Sequence, residues 1–149
     1  MITREQINLM ADDVMLAIPE IKKSQVVVTE HELAKFIGDH TQEENILMLC
    51  LWPSRKITGE QDNTRWGNVM GFFFLDKTDY SEHDQESFLA IFDRTEDVAR
   101  RFIEKLLEDK SENGGFECNA YAHLDEGSIS CEPIKMNNGC NGHYVEFIM

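Results

Sequence analysis

Residues 65–75 read RWGNVMGFFFL, and this stretch decides the fold. Side chains alternate between the two faces of an extended strand. One face would carry Met70, Phe72 and Phe74, and the other Val69, Gly71, Phe73 and Leu75. Because both faces are apolar, the strand must be covered on both sides. Helices can supply one cover, and the other can come from more of the same chain or from a neighbouring subunit.

A second apolar run precedes this stretch. Residues 45–52, NILMLCLW, are continuous in their hydrophobicity and are closed by Pro53. The segment between the two runs, PSRKITGEQDNT, is polar and rich in turn-forming residues. Two apolar strands separated by such a segment predict a long hairpin with a polar loop.

Two amphipathic helices are predicted before the hairpin. Residues 3–6 and 29–32 have the S/T-x-x-E/Q spacing that satisfies free amides at a helix start. The apolar residues that follow recur every three or four positions and form the predicted buried stripes, which are Ile7, Met10, Val14 and Ala17 in the first helix and Leu33, Phe36 and Ile37 in the second. Pro19 should stop the first helix and Gly38 the second.

The strongest helix signal is DRTEDVARRFIEKLLEDK, residues 93–110. Residues 93–96 predict its cap, and Gly114–Gly115 predict its end. Its apolar stripe contains Val98, Phe102, Ile103 and Leu106. Residues 87–92, SFLAIF, fit either a helical turn or a short strand.

Three further strands are predicted in the C-terminal part, at residues 116–124, 128–133 and 143–149. The last one alternates, and its first face would carry His143, Val145, Phe147 and Met149. The whole pattern predicts a single α+β domain over residues 1–149. Its mainly antiparallel sheet, a central hairpin plus a C-terminal meander, would pack against the N-terminal helix and the central helix.

The charge balance bears on the classes of partner. The chain has 28 acidic and 14 basic residues, which gives a formal net charge of −14. Such a surface repels phosphate backbones and anionic lipid, so neither nucleic acid nor a membrane is expected as a partner. No apolar stretch approaches the roughly 20 residues that cross a bilayer, and the start MITREQINLM does not resemble a signal peptide. A cytoplasmic protein with reduced cysteines is predicted.

Cysteines and histidines gather near the C-terminus. With Cys118, the candidate ligands His123, Cys131, Cys140 and His143 have the spacing C-x4-H-x7-C-x8-C-x2-H, whereas structural zinc sites usually show two close pairs. A thiol nucleophile with His143 as base would need a positive setting, which the sequence does not offer. We therefore predict no metal, no cofactor and no catalytic residue here. Asn and Gly in NNGCNG, residues 137–142, predict a tight turn instead.

Trp52 and Trp66 bracket the polar loop of the hairpin. Aromatic residues at strand ends often cover a core, but near an acidic, apolar-edged surface they can also anchor a protein interface. Together with Phe72 and Phe74 of the two-sided strand, they are the predicted interface residues.

The order of elements carries a resemblance. An apolar strand ends in LWP, a second ends in FFFL, a helix is introduced by RTEDVARRFIEKL, and the last residues are SCEPIKMNNGCNGHYVEFIM. This layout resembles small prophage-encoded structural proteins of the head–tail completion and tail-terminator type. Their I-x-P…N…G…V-x-F ending is matched by Cys131–Ile134, Asn137, Gly142, Val145 and Phe147. His143–Tyr144 stand where a Gly-Trp pair is expected.

The resemblance implies a small α+β subunit that assembles into rings at the end of a phage tail or neck, with no catalysis. Its partners would be other copies of itself and neighbouring protein subunits, its location would be the virion, and the loop 53–65 would be a contact arm. Two other classes stay open. One is an intracellular adaptor or immunity-type protein whose acidic surface binds a basic partner. The other is a small-ligand binding domain with a pocket between the sheet and the helix at 94–110.

Overall fold

The computed structural model describes residues 2–58, 64–79, 81, 84–111 and 120–149. These residues form three α-helices, α1 (Arg4–Ala17), α2 (Glu30–Asp39) and α3 (Gln85–Ser111). They also form six strands, β1 (Lys23–Val27), β2 (Leu47–Leu51), β3 (Ser54–Thr58), β4 (Arg65–Lys77), β5 (Asp125–Lys135) and β6 (Cys140–Ile148). Short 3₁₀ turns lie at Gln42–Glu44, Ala120–His123 and Asn137–Gly139.

β4, which contains the two-sided apolar stretch 65–75, lies at the centre of one sheet. The strand order is β1-β2-β4-β6-β5, and β3 also pairs with β4. All neighbours are antiparallel except β1 and β2, which are parallel. The predicted α+β class with a mainly antiparallel sheet is confirmed.

Different helices cover the two faces of β4. On one face, Phe72 and Phe74 join a core with α1 and α3, and their ring centroids lie 4.8 and 5.1 Å from that of Phe102 on α3. On the other face, Phe73 belongs to a second cluster that contains Ile37 of α2. Each fully buried phenylalanine contributes about 1.5–3 kcal/mol. The chain itself therefore supplies both covers over this part of β4.

α1 and α2 begin at the predicted capping boxes. In residues 3–6 and 29–32 the threonine hydroxyl accepts from the amide three positions on, and the Gln or Glu side chain accepts from the threonine amide. Two details differ from the prediction. Ala17 is exposed because Ile18, the residue after the helix, fills the buried position instead. Gly38 keeps a helical backbone and lies inside α2 rather than ending it.

α3 starts upstream of its predicted cap. Residues 87–92, left open between helix and strand, are helical, so Asp93 lies within the helix and does not cap it. The start is capped instead by Asp84, whose Oδ1 accepts from the Ser87 amide at 2.8 Å. The predicted end at 114–115 lies outside the described residues.

The predicted polar loop 53–64 contains a strand. β3 pairs antiparallel with the first half of β4, from Ser54 opposite Val69 to Thr58 opposite Arg65. β2 pairs with the second half of β4, so β2 and β3 line the same edge in succession. The predicted long hairpin is confirmed, and its paired region is longer than expected.

The predicted C-terminal meander is a hairpin in the described residues. Residues 120–123, predicted as part of a strand over 116–124, form a 3₁₀ turn that buries Tyr121 in the core. Residues 116–119 lie outside the described part of the chain. β5 extends beyond the predicted 128–133 at both ends. The alternation of β6 is as predicted, and its buried face carries His143, Val145, Phe147 and Met149.

Candidate functional site

The turn before β6 accounts for part of the Asn- and Gly-rich ending. Asn138 and Gly139 adopt the left-handed conformation, with φ of 61° and 74°. Asn and Gly tolerate this backbone better than other residues. A Cβ at Gly139 would also lie 2.4 Å from the carbonyl oxygen of Thr78. The predicted turn therefore exists but is shorter than 137–142, since Cys140 already belongs to β6.

Cys140 and His143, the closest pair of candidate ligands, lie on opposite faces of the sheet. Cys140 is buried in the cluster under α2, where its thiol donates to the Ile37 carbonyl at 3.8 Å. The His143 ring is buried on the α3 face, with Nδ1 3.0 Å from the Thr95 hydroxyl. Residues an odd number of positions apart on a strand cannot share an ion through their side chains. Cys118 lies outside the described residues.

The other two candidates are also apart from this pair. Cys131 is exposed on β5, and His123 is exposed in the 3₁₀ turn. Burial raises the pKa of Cys140 to about 11, and burial together with the carboxylate of Glu96 raises the pKa of Cys131. Both thiols are therefore protonated at neutral pH and are weak nucleophiles. Within the described ranges, no group of three or more His, Cys, Asp or Glu side chains could hold a metal ion.

The four predicted interface residues divide into two groups. Phe72 and Phe74 are fully buried, because α1 and α3 of the same chain cover their face of the sheet. They contact Phe102 and are not available to a partner, so this part of the prediction is wrong. Trp52 and Trp66 are 43% and 70% exposed.

Trp66 belongs to a two-stranded ribbon, which we define as residues 54–58 and 65–68. Ile57 lies directly opposite Trp66, and the two side chains are 58% and 70% exposed. Opposite residues on one face are near neighbours, with Cβ atoms about 4.5–5.5 Å apart. Among the described residues, the pairing of β4 with β6 covers Val69 to Lys77, and Asn68 continues it by exchanging backbone hydrogen bonds of 2.7 and 2.9 Å with Met149, so the part of the ribbon beyond Asn68 pairs only with β3. Residues 54–57 and Trp66 are exposed, whereas Gly67 is buried and Asn68 is half-buried.

The ribbon differs from the rest of the protein in charge. Its sequence contains Arg55, Lys56 and Arg65 and no Asp or Glu, although the whole chain has a net charge of −14. By alternation, Arg55 shares a face with Ile57 and Trp66. Aromatic residues and arginine are enriched in protein interfaces. The ribbon is therefore the best candidate for a functional surface.

The structure also contains a buried polar network that the sequence did not reveal. Asp76 is 1% exposed. Its Oδ2 accepts from Nε of Arg94 at 2.9 Å and from Nη2 of the same residue, and its Oδ1 accepts from Nδ2 of Asn45 at 2.8 Å. Asn45 Oδ1 accepts from the Lys77 amide at 2.9 Å and lies 2.7 Å from Nε2 of His40. The network joins β4, α3 and the segment that leads from α2 into β2.

A groove of about 520 Å³ opens beside this network, and its lining includes Pro19, Glu20, Lys22, Gln42, Asn45 and Arg94. Two of its charged groups are already paired, since Arg94 holds Asp76 and Glu20 accepts from Arg101 at 2.6 Å. Both carboxylate oxygens of Asp76 have protein partners. We interpret the network as a structural connection between elements.

Two buried histidines give the fold an acid sensitivity. Burial lowers the pKa of His40, and this outweighs the opposing effects of Asn45 and Glu44. Its Nδ1 has no hydrogen-bond partner among the described residues and lies 3.5 Å from Oε2 of Glu44. Burial also lowers the pKa of His143, against the opposing field of Glu96. Both imidazoles therefore bind a proton less readily in the folded protein than in the unfolded chain.

We expect the free energy of unfolding to begin to fall as the pH drops below about 7.5, and to keep falling below the ordinary histidine pKa of about 6.5 until the folded protein also binds the protons. The unfolded chain binds protons on both histidines near their ordinary pKa of about 6.5, while the folded protein resists, so each contributes a slope of at most about 1.4 kcal/mol per pH unit. In the double variant His40→Gln/His143→Asn, a side-chain amide replaces the hydrogen-bonded nitrogen of each ring. The free energy of unfolding of this variant, measured in urea, should depend less on pH than that of the wild type. If the free energy of unfolding of the double variant depends on pH as steeply as that of the wild type, the two histidines are not the cause.

No protein-family model matches the sequence, and a comparison with curated proteins finds no significant relative. None of the helices in the described ranges is long and apolar enough to span a membrane.

Proposed function

We propose that this protein is a non-enzymatic assembly subunit, which binds other copies of itself or neighbouring protein subunits through the ribbon. The observation that carries the proposal is the exposed pair of Ile57 and Trp66 on a cationic ribbon of an acidic protein. Burying the exposed part of one tryptophan gains about 3–4 kcal/mol before the costs of association. A pair of such residues at the centre of a contact is enough to act as a hot spot.

The distribution of exposed apolar side chains supports the same surface. Of the eight large hydrophobic residues exposed in the described part of the chain, three lie on the hairpin of β2, β3 and β4. They are Trp52, Ile57 and Trp66. Of the other five, two lie on α1, two on α3 and one follows β1, so no other element carries more than two.

The resemblance to head–tail completion and tail-terminator proteins leads to the same proposal. A subunit of that type acts through surface complementarity, and a heterologous contact that closes by rotation builds a ring. The raised pKa values of Cys131 and Cys140, and the engagement of His143 with Thr95, also favour a role without thiol catalysis. In that setting the protein would be virion-associated.

Replacing both apolar residues of the ribbon, as Ile57→Ser/Trp66→Ser, should weaken self-association. Loss of a tryptophan hot spot costs about 2 kcal/mol or more, which corresponds to roughly a thirtyfold rise in Kd. Sedimentation velocity over a range of concentrations measures this change, since the weight-average sedimentation coefficient of the variant should move toward that of the monomer.

A matched control is Leu16→Ser, because Leu16 is 83% exposed and lies on α1. It removes exposed apolar surface away from the ribbon and should leave association unchanged. A wild-type protein that stays monomeric at every concentration, and does not bind a neighbouring subunit, would contradict the proposal. Salt-sensitive binding of a cationic protein that the ribbon variant retains would favour the adaptor class instead.

A further inference from the structure

A groove between α3 and β5 has properties opposite to those of the ribbon. It encloses about 460 Å³, within the range of roughly 300–1,000 Å³ that is typical of binding pockets. Its lining includes Asp93, Glu96, Asp97, Ile103, Glu104 and Cys131. Ile103 is half-buried and packs against the main core, so apolar surface lies between the carboxylates. We refer to it as the α3–β5 groove.

The carboxylates of the groove are only partly neutralised. Arg100 donates to Asp97 at 2.6 Å and to Glu104 at 2.5 Å. Asp93 and Glu96 form no ion pair with any described residue, and both are exposed. The groove therefore keeps a net negative charge around an apolar floor. An acidic rim alone is an ordinary solvated surface, but this rim matches a cationic, apolar segment of the same chain.

The ribbon of one copy cannot reach its own groove. Cys131 lies opposite Val145 on β6, which lies opposite Phe72 on β4, so the groove is level with Phe72. Trp66 is six residues from Phe72 along the continuous strand β4, which is about 20 Å, and the groove is two strands to the side, about another 10 Å. A contact between the two surfaces must therefore join different copies.

We propose that the α3–β5 groove of one copy receives the ribbon of another copy. This inference rests on the proposed function and names the partner surface for it. Ile57 and Trp66 of the ribbon face the apolar floor at Ile103, and Arg55, the cation on the same face of the ribbon, lies toward Asp93 and Glu96. The contact is heterologous, since the two surfaces differ, and repetition of it produces a ring or a filament.

Charge reversal in two separate variants tests the contact. The ribbon variant is Arg55→Glu, at the cation that shares a face with Ile57 and Trp66, and the groove variant is Asp93→Lys/Glu96→Lys. Each variant alone brings like charges together, so its self-association should be roughly tenfold or more weaker than that of the wild type. An equimolar mixture offers each ribbon a complementary groove and should assemble again. Sedimentation velocity measures all three samples, after circular dichroism has shown that each variant is folded.

The matched control for the groove variant is Asp12→Lys/Glu43→Lys, which makes the same change in net charge at exposed positions on α1 and in the turn before β2. It should associate like the wild type. If the groove variant associates normally while Ile57→Ser/Trp66→Ser does not, the ribbon binds elsewhere and only this inference fails. The proposed contact is also wrong if the equimolar mixture of the ribbon and groove variants does not assemble. Absence of any assembly by the wild type counts instead against the proposed function.

Discussion

Replacing Gly142 by alanine should lower the free energy of unfolding by about 3 kcal/mol or more, the upper end of the range for overpacking. A Cβ at this position would lie 1.9 Å from the carbonyl oxygen of Phe74 and 2.9 Å from its carbonyl carbon. Both atoms belong to the backbone of β4, so no change of rotamer relieves the contact. The two central strands must separate locally, which weakens their hydrogen bonds. The thermal midpoint should fall by roughly 10 °C.

Gly38→Ala is the control for this substitution. Gly38 is exposed in α2, and the nearest atom to an added Cβ is Nδ2 of Asn138 at 3.9 Å. Alanine there should stabilise the protein by about 0.5–1 kcal/mol, because it restricts the unfolded chain and favours the helix. Calorimetry of the two variants should therefore show shifts of opposite sign. A Gly142→Ala protein as stable as the wild type would mean that β4 and β6 can move apart at little cost.

Gly142 also shows what composition can and cannot predict. The sequence places it in the turn NNGCNG, but the turn requires only Asn138 and Gly139. Gly142 is needed for a different reason, the close approach of a neighbouring strand. Glycine serves both purposes, and the purpose depends on which strand lies beside it. That neighbour, β4, is more than sixty residues away in the chain and cannot be read locally.

Hydrophobic periodicity predicted the strands that build the core and missed those that depend on a neighbour. β4 and β6 alternate or are continuously apolar, so their own sequences identify them. β1 and β3, with the sequences KSQVV and SRKIT, were not predicted. They carry mostly polar residues and become strands because β2 and β4 offer them unpaired edges. Likewise, an Asp-x-x-Glu spacing at residues 93–96 resembled a cap, although the helix already continues from upstream.

The candidate site was only half predictable for a similar reason. Alternation separates the two faces of β4, but it does not reveal which face the helices of the same chain cover. The sequence therefore predicted Phe72 and Phe74 as interface residues together with Trp66. In the structure the two phenylalanines are buried and Trp66 is exposed. The polar network was not predictable at all, since His40, Asn45 and Asp76 come together only through the strand order. Asp76 directly follows the apolar run of β4, but this position alone indicates neither its burial nor its partners.

The second large expected effect on stability comes from removing the cation of this polar network. Arg94→Ala should lower the free energy of unfolding by about 2–4 kcal/mol, because it leaves the carboxylate of Asp76 buried without its cation. This loss is smaller than for a fully buried ion pair, because the Arg94 side chain is 57% exposed and water can enter where it is removed. Urea unfolding at neutral pH measures the change.

A double variant separates the buried charge from the lost side chain. In Arg94→Ala/Asp76→Asn the buried group is neutral and its oxygen can still accept from Asn45, so the double variant should be more stable than Arg94→Ala alone. As a control, Arg101→Ala breaks the 2.6 Å pair with Glu20 at the surface and should cost about 1 kcal/mol or less. If Arg94→Ala costs no more than Arg101→Ala, water already solvates Asp76 in the wild type. If the double variant is the least stable of the three, the arginine stabilises the fold through its packing rather than through its charge.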